Sequence, residues 1–357
     1  MHNALLDELR TIPFWKDYCA TPLIELPKLA RHAQVGRVFV KVEGARPLGN
    51  FKTLGGVLAG LRAIAREVGA ASVQEVVNGM SAQAMPRLIC ASDGNHGLAV
   101  AVAAQTAATA ASIYLPLGVS KERSARIKAF GATIVWVDGT YDDAVDQAAA
   151  AAKRGDGLLI PDTTSDPTDL VVRDVMAGYA VLSCELKQQF SAIGEKPSHV
   201  FVQAGVGGLA ASIAQELHAH MREPRKIVVV EPDAAACVSR ALAARRPVRV
   251  EGMLSTAADM LSCGLASAPA LEILLQHRVE SVLIPEHGLR SAVDVLRRAG
   301  GPDSTPSGAA GLAGLLAVSF DATWCRTHAL GTESAVLIIA TESGETRASA
   351  AGDSRFR

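Results

Sequence analysis

The chain has 357 residues, a net charge of −1, 49% hydrophobic side chains and 20% charged ones. That is length for two domains or one large α/β unit with a large buried core, and there is no basic field to draw in nucleic acid or an anionic membrane. Aromatic residues, at 4%, offer no stacking platform for bases.

The amino-terminal run "MHNALLDELRTIPFWKDY" has early acids and no apolar core, so it is not read as a signal peptide, and a cytoplasmic location is expected. Strands and helices then alternate. "RVFVKVE" (37–43) reads as a strand, and "TLGGVLAGLRAIAREVG" (53–69) as a helix stopped by Gly69. Residues 73–85 are small and polar, a surface loop. "RLICAS" is a strand, "HGLAVAVAAQTA" a helix and "ASIYLPL" a strand, so the apolar stretch 97–118 is a buried helix running into a strand and not a membrane span. "SKERSARIKAFG", "TIVWVDG", "YDDAVDQAAAAAKRG" and "GLLIPD" (157–162) continue as helix, strand, helix and strand. The pattern repeats with "DLVVRDVMAGYAVLSCELKQQF", "HVFVQAG", "GLAASIAQELHAHM" and "KIVVVEP", and "AVLIIATES" is a last strand. The tail "SGETRASAAGDSRFR" is expected to be partly disordered. Short apolar strands between helices predict a mostly parallel sheet covered on both faces. The six cysteines (19, 90, 184, 237, 263 and 325) contain no C-x-x-C pair, which argues for reduced cytosolic thiols and against a disulfide framework or a metal site.

Parallel sheets put their sites at the carboxyl ends of strands. Four such ends carry chemistry. "NFKTLGG" sets Lys52 at a helix start behind an apolar strand; burial there is expected to lower its pKa and leave an amine able to form a Schiff base, although a helix-end lysine is the plainer reading. "ASDGNHG" opens a helix with Ser92, Asp93, Gly94, Asn95 and His96. Its N–H groups suit an anion, and its side chains equally suit a helix cap. "FVQAGVGGLAAS" places Gly205, Val206, Gly207, Gly208 and Leu209 between a strand and a helix, a phosphate loop. The same stretch, with Ala210 and the later Glu231, also matches a dinucleotide fingerprint and leaves an NAD-dependent dehydrogenase open. "IIATESGET" ends a strand at Thr341 and Glu342.

In this order the four stretches resemble the fold-type II pyridoxal-phosphate enzymes, the superfamily of tryptophan synthase β, cysteine synthase and threonine dehydratase. Within it "NFKTLGG", "SDGNHG" and "QAGVGG" resemble the diaminopropionate ammonia-lyases, with "TPLIELPKLA", "IVVVEPDAAAC", "PSGAAGLAGLLA" and "ATESGET" extending the likeness along nearly the whole chain. The resemblance implies two three-layer α/β domains, a larger one of residues 1–55 and 170–357 and a smaller, mobile one of residues 56–169, with pyridoxal 5′-phosphate in the cleft between them. It implies Lys52 as the cofactor's Schiff-base partner beside Phe51. Asn95 would meet the ring oxygen, the loop from Gly205 through Leu209 the phosphate, and Thr341 the ring nitrogen. It further implies Lys52 and Asp93 as bases for the L- and D-substrate and Asp162 near the β-amino group, with Ser92, Gly94 and His96 lining the substrate. The implied reaction is α,β-elimination of a small amino acid in a homodimer. The run after Asp162, "DTTSDPTDLVV", lacks the family's aromatic. "TESGET" and "RPLGNFK" also depart from the family pattern. A serine/threonine dehydratase or a β-replacement enzyme therefore stays open.

Overall fold

The computed structural model describes residues 2–80 and 83–344. Among them ten strands form two sheets. In chain order these are β1 (Leu23–Glu25), β2 (Arg37–Val42), β3 (Leu88–Cys90), β4 (Ala111–Pro116), β5 (Thr133–Val137), β6 (Leu158–Leu159), β7 (His199–Gln203), β8 (Lys226–Pro232), β9 (Glu280–Ile284) and β10 (Ala335–Ala340). The larger sheet has the order β1-β2-β10-β7-β8-β9 and the smaller β5-β4-β3-β6. All pairings are parallel except β1 with β2, so the larger sheet is mixed at its edge.

The strand sequences explain the layering. Along β2, β7, β8 and β10 the residues alternate between two buried clusters: Phe39, Val200, Val229 and Leu337 join one, while Val38, Phe201, Val228 and Ile338 join the other. Both faces of this sheet are therefore covered, which is why its strands read as unbroken apolar runs. Leu88, Ile113 and Leu115 of the smaller sheet lie in the same cluster as Val200, so one continuous core joins the two sheets.

Helix Lys52–Val68 lies at the centre of that core. It packs against helix Asn95–Thr106 and helix Leu170–Ala192 at glycine contacts. A Cβ on Gly56 would sit 2.6 Å from Ala99 Cβ, and one on Gly55 would sit 2.5 Å from Val175 O. The turn that leads into this helix is braced by buried charges. Arg46 holds Glu43 at 2.8 Å and Glu185 at 2.6 Å, and Lys41 also reaches Glu185 at 2.6 Å. Two cations and two carboxylates balance one another there, as buried charge requires.

Three sequence expectations need correction. Residues 73–85 are not simply a loop, because Val73–Val77 forms a short helix whose Ser72 Oγ accepts the Glu75 N–H at 3.3 Å. "GLLIPD" keeps only two ladder residues, since β6 is an edge that turns away toward the site. Strands β1 and β9 were not read from the sequence; each has an acid at one end, Glu25 and Glu280, and β1 is only three residues long. Most of the tail expected to be disordered lies outside the described residues.

Candidate active site

Lys52 is delivered by a stitched turn. Leu48 and Gly49 take positive φ, +65° and +75°, to reverse the chain after β2. Asn50 pairs with Glu342, and its Oδ1 accepts the Lys52 N–H at 3.1 Å. The Phe51 N–H donates to Thr341 O at 3.2 Å. The lysine loop is thus fastened to the end of β10.

The ammonium of Lys52 sits at the first residue of a 17-residue helix, where the dipole disfavours a cation. Its partner is Asp162, beyond β6. Burial pulls the Lys52 pKa down, but the Asp162 carboxylate outweighs it and the net direction is up. The expectation of a lowered pKa is therefore corrected: the ion pair with Asp162 favours the charged form of Lys52. Burial likewise pushes Asp162 up, and Lys52 reverses it, keeping the carboxylate well below its usual range.

The loop after β3 faces this pair. His96 is buried, and its Nε2 bonds Ile160 O at 2.9 Å. It braces the segment that carries Asp162, and burial lowers its pKa. A Cβ on Gly97 would stand 2.0 Å from Ser92 O, so the turn through Ser92, Asp93 and Gly94 closes only over a glycine. Asp93 is paired to Arg123 at 2.7 Å. The Asn95 amide donates to Glu342 Oε2 at 2.6 Å, and Glu342 Oε1 accepts from Thr305 at 2.5 Å. Tyr141 donates to Ala91 O at 3.1 Å from the helix after β5.

The glycine loop is adjacent. Gly207 has φ +96° and opens helix Gly208–Leu217 with no side-chain cap. The N–H groups of a first helical turn have no partner within the helix and point out of its end. A Cβ on Gly205 would lie 3.0 Å from Cys263 Sγ. Tyr179 joins this loop to the lysine: its ring centroid is 4.9 Å from that of Phe51, and its Cε2 is 3.6 Å from where a Gly208 Cβ would be. Thr341 is buried, and its Oγ1 lies 2.9 Å from Gln203 Nε2. That nitrogen also faces three carbonyls, those of Ser307, Gly308 and Ile339. An amide nitrogen donates and does not accept, so the Thr341 hydroxyl is the acceptor in this bond and keeps its own proton to donate.

This donor set fits pyridoxal phosphate. It supplies uncapped N–H groups around a glycine cradle for a phosphate dianion, an amine for an aldehyde, and an amide and a hydroxyl for the ring's oxygen and nitrogen. The dinucleotide reading loses its acid. Glu231 accepts the Val238 and Ser239 N–H groups, each at 2.7 Å, so both its oxygens are spent capping helix Cys237–Ala244.

The fold brings Lys52, Asn95, the glycine loop, Asp162 and Thr341, all named from the sequence, to one place, together with Tyr141, Gln203 and Arg123, which were not. Tyr141 lies four residues past the end of β5, as the first residue of helix Tyr141–Lys153. Arg123 is one of several cations on a charged helix and carries no signal. Thr163 Oγ1, beside Asp162 and just before the run that departs from the family, is buried without a partner among the described residues.

Residues 15–342 match the family model described as pyridoxal-phosphate dependent enzyme. The chain is 31% identical over 343 residues to the diaminopropionate ammonia-lyase of Escherichia coli (strain K12), covering 92% of this chain and 85% of that one. The structure of Escherichia coli diaminopropionate ammonia lyase in complex with D-serine superposes with a TM-score of 0.83 at 28% identity, covering 95% of this chain and 89% of the other. The biosynthetic L-threonine dehydratase of Pasteurella multocida is 29% identical over 297 residues, 83% of this chain and 52% of that protein.

Proposed function

This chain belongs to the pyridoxal-phosphate dependent enzyme family, and on that premise we propose that it is a carbon–nitrogen lyase acting on 2,3-diaminopropionate. The products are pyruvate and two molecules of ammonia, with one water consumed. The observation that carries the proposal is convergence: Lys52, paired with Asp162, shares one site with Asn95, the glycine loop and the Thr341 hydroxyl.

When bound, the cofactor supplies an electron sink for the pair left behind as the α-proton departs. Lys52 Nζ takes that proton from the L-isomer and Asp93 from the D-isomer. The Asp162 carboxylate attracts a β-ammonium group and so selects an aminated leaving group. N–H groups of the loop from Ser92 through Asn95 receive the substrate carboxylate, while His96, bonded to Ile160 O, braces the neighbouring segment that carries Asp162. The N–H groups from Gly205 through Leu209 hold the phosphate, Asn95 and Thr341 fix the ring, and Phe51 packs beside it. Residues 56–169 act as the smaller, mobile domain in this reading, and a cytoplasmic homodimer belongs to the same proposal. A second reading, a serine or threonine dehydratase, is favoured by one observation: the unpartnered Thr163 hydroxyl suits a hydroxyl leaving group better than an ammonium.

The test begins with purified protein and added pyridoxal phosphate. Borohydride reduction is expected to add the cofactor's mass to the peptide containing Lys52. Lys52→Ala is expected to abolish that adduct and lower turnover by at least about 10³-fold. Keto-acid release from D- and L-diaminopropionate is expected to exceed that from serine and threonine. Protein that binds no pyridoxal phosphate overturns the proposal, and a preference for serine moves it to the dehydratase.

A further inference from the structure

Helix Lys121–Lys128 follows β4 and carries Arg123, whose guanidinium forks between two carboxylates. Nη1 donates to Asp93 Oδ2 at 2.7 Å, and Nη2 contacts Asp259 Oδ2. Asp93 belongs to the loop after β3 in the smaller sheet. Asp259 opens the 3-10 turn Asp259–Leu261, which lies in the chain between β8 and β9 of the larger sheet. That turn is anchored in turn: Ser307 Oγ lies 3.4 Å from Asp259 Oδ1 and accepts the Met260 N–H at 3.1 Å. The two loops also touch directly, since a Cβ on Gly94 would stand 3.1 Å from Met260 Sδ. One arginine therefore bridges a loop from each sheet, two residues from Asn95.

A planar fork reaches two carboxylates at once, as a lysine's point charge does not. The fork uses one oxygen of Asp93; Oδ1 makes no hydrogen bond among the described residues. Side-chain exposures of 34% for Arg123, 26% for Asp93 and 48% for Asp259 mean that solvent screens both pairs. Pairs this weak can open and close in each catalytic cycle.

We propose that Arg123 is a positioning residue with two duties. It fixes Asp93 by one oxygen so that Oδ1 is free to take a proton, and it clasps the Asp93 loop to the Asp259 turn while substrate is bound. The first duty rests on the proton-acceptor role given to Asp93 for the D-isomer; the second is independent of it.

The test uses the holoenzyme and three variants. Arg123→Met is expected to lower kcat for D-diaminopropionate by about 10- to 100-fold while kcat for the L-isomer stays within about twofold. Arg123→Lys restores part of the D-turnover. Asp259→Asn cuts only the arm between loops, so it raises KM for both isomers by about threefold and keeps the wild-type ratio of D to L kcat. Amide hydrogen exchange at residues 92–95 and 257–262 is expected to quicken in both Arg123→Met and Asp259→Asn. Equal loss of D and L kcat in Arg123→Met overturns the positioning duty, and unchanged exchange in both variants overturns the clasp. Should wild-type enzyme turn over neither isomer, the functional reading falls, and the exchange measurement alone decides the clasp.

Discussion

Lys52 is governed by two opposed effects. Burial favours the neutral amine, and the ion pair with Asp162 favours the ammonium and wins. The sequence exposed the burial, because an apolar strand precedes the lysine. It hid the ion pair, because the partner is 110 residues away and is brought in only by the smaller sheet. Removing the carboxylate takes away the chief effect that opposes burial. In Asp162→Asn the Lys52 pKa is therefore expected to fall, and labelling of Lys52 by an amine-reactive reagent at pH 7 to quicken by about tenfold. Turnover of diaminopropionate is expected to fall by about 10²-fold, because the β-ammonium loses its partner. Peptide mass mapping after timed labelling reads the first effect. An unaltered labelling rate means that the ion pair does not control the amine.

The elements of the site were legible where a pattern is local. The helix from Lys52 to Val68 was read within one residue because Gly69, at φ +67°, stops it. What that helix packs against was not legible. "VMAGYAV" shows a glycine inside a helical pattern, a hint of close packing, but it names no partner. The structure supplies it: a Cβ on Gly178 would lie 2.4 Å from Leu54 O and 2.6 Å from Gly55 Cα. Backbone, not side chain, fills that space, so one helix must move away from the other. Gly178→Ala is expected to destabilise the protein by about 1–3 kcal/mol. Because Leu54 is two residues past Lys52, cofactor retention should fall as well. Urea unfolding and dialysis of the reconstituted protein measure the two effects. Gly118→Ala, with nothing within 4 Å of its Cβ, is the control and should change neither. A Gly178→Ala variant as stable as that control means that the contact is not the close approach described.

At the scale of the molecule, alternation of strands and helices announced a parallel sheet, while the order of its strands came only from the fold. The central place of β10, last in sequence, between β2 and β7 has no local signal. Nor has the fate of two titratable residues in that sheet, His199 at the start of β7 and Glu231 near the end of β8. Burial lowers His199 from 6.5 to about 4, against a hydrogen bond with His328 O. Burial raises Glu231 from 4.5 to about 7, against the two N–H groups that it caps. The signs are opposite. Between pH 6.5 and 4 the unfolded chain binds a proton at His199 that the folded chain refuses, so acidification costs stability there. Between pH 4.5 and 7 the folded chain keeps a proton at Glu231 that the unfolded chain has released, so raising the pH costs stability there. Each effect is worth at most about 3 kcal/mol, and over the shared window they oppose one another. Single variants separate them. Relative to wild type, His199→Leu should gain stability as the pH falls from 6.5 to 4. Glu231→Gln should gain relative to wild type as the pH rises from 4.5 to 7. Urea titrations at half-unit intervals give both differences, and parallel pH profiles for variant and wild type would show that the residue titrates alike in the folded and unfolded chain.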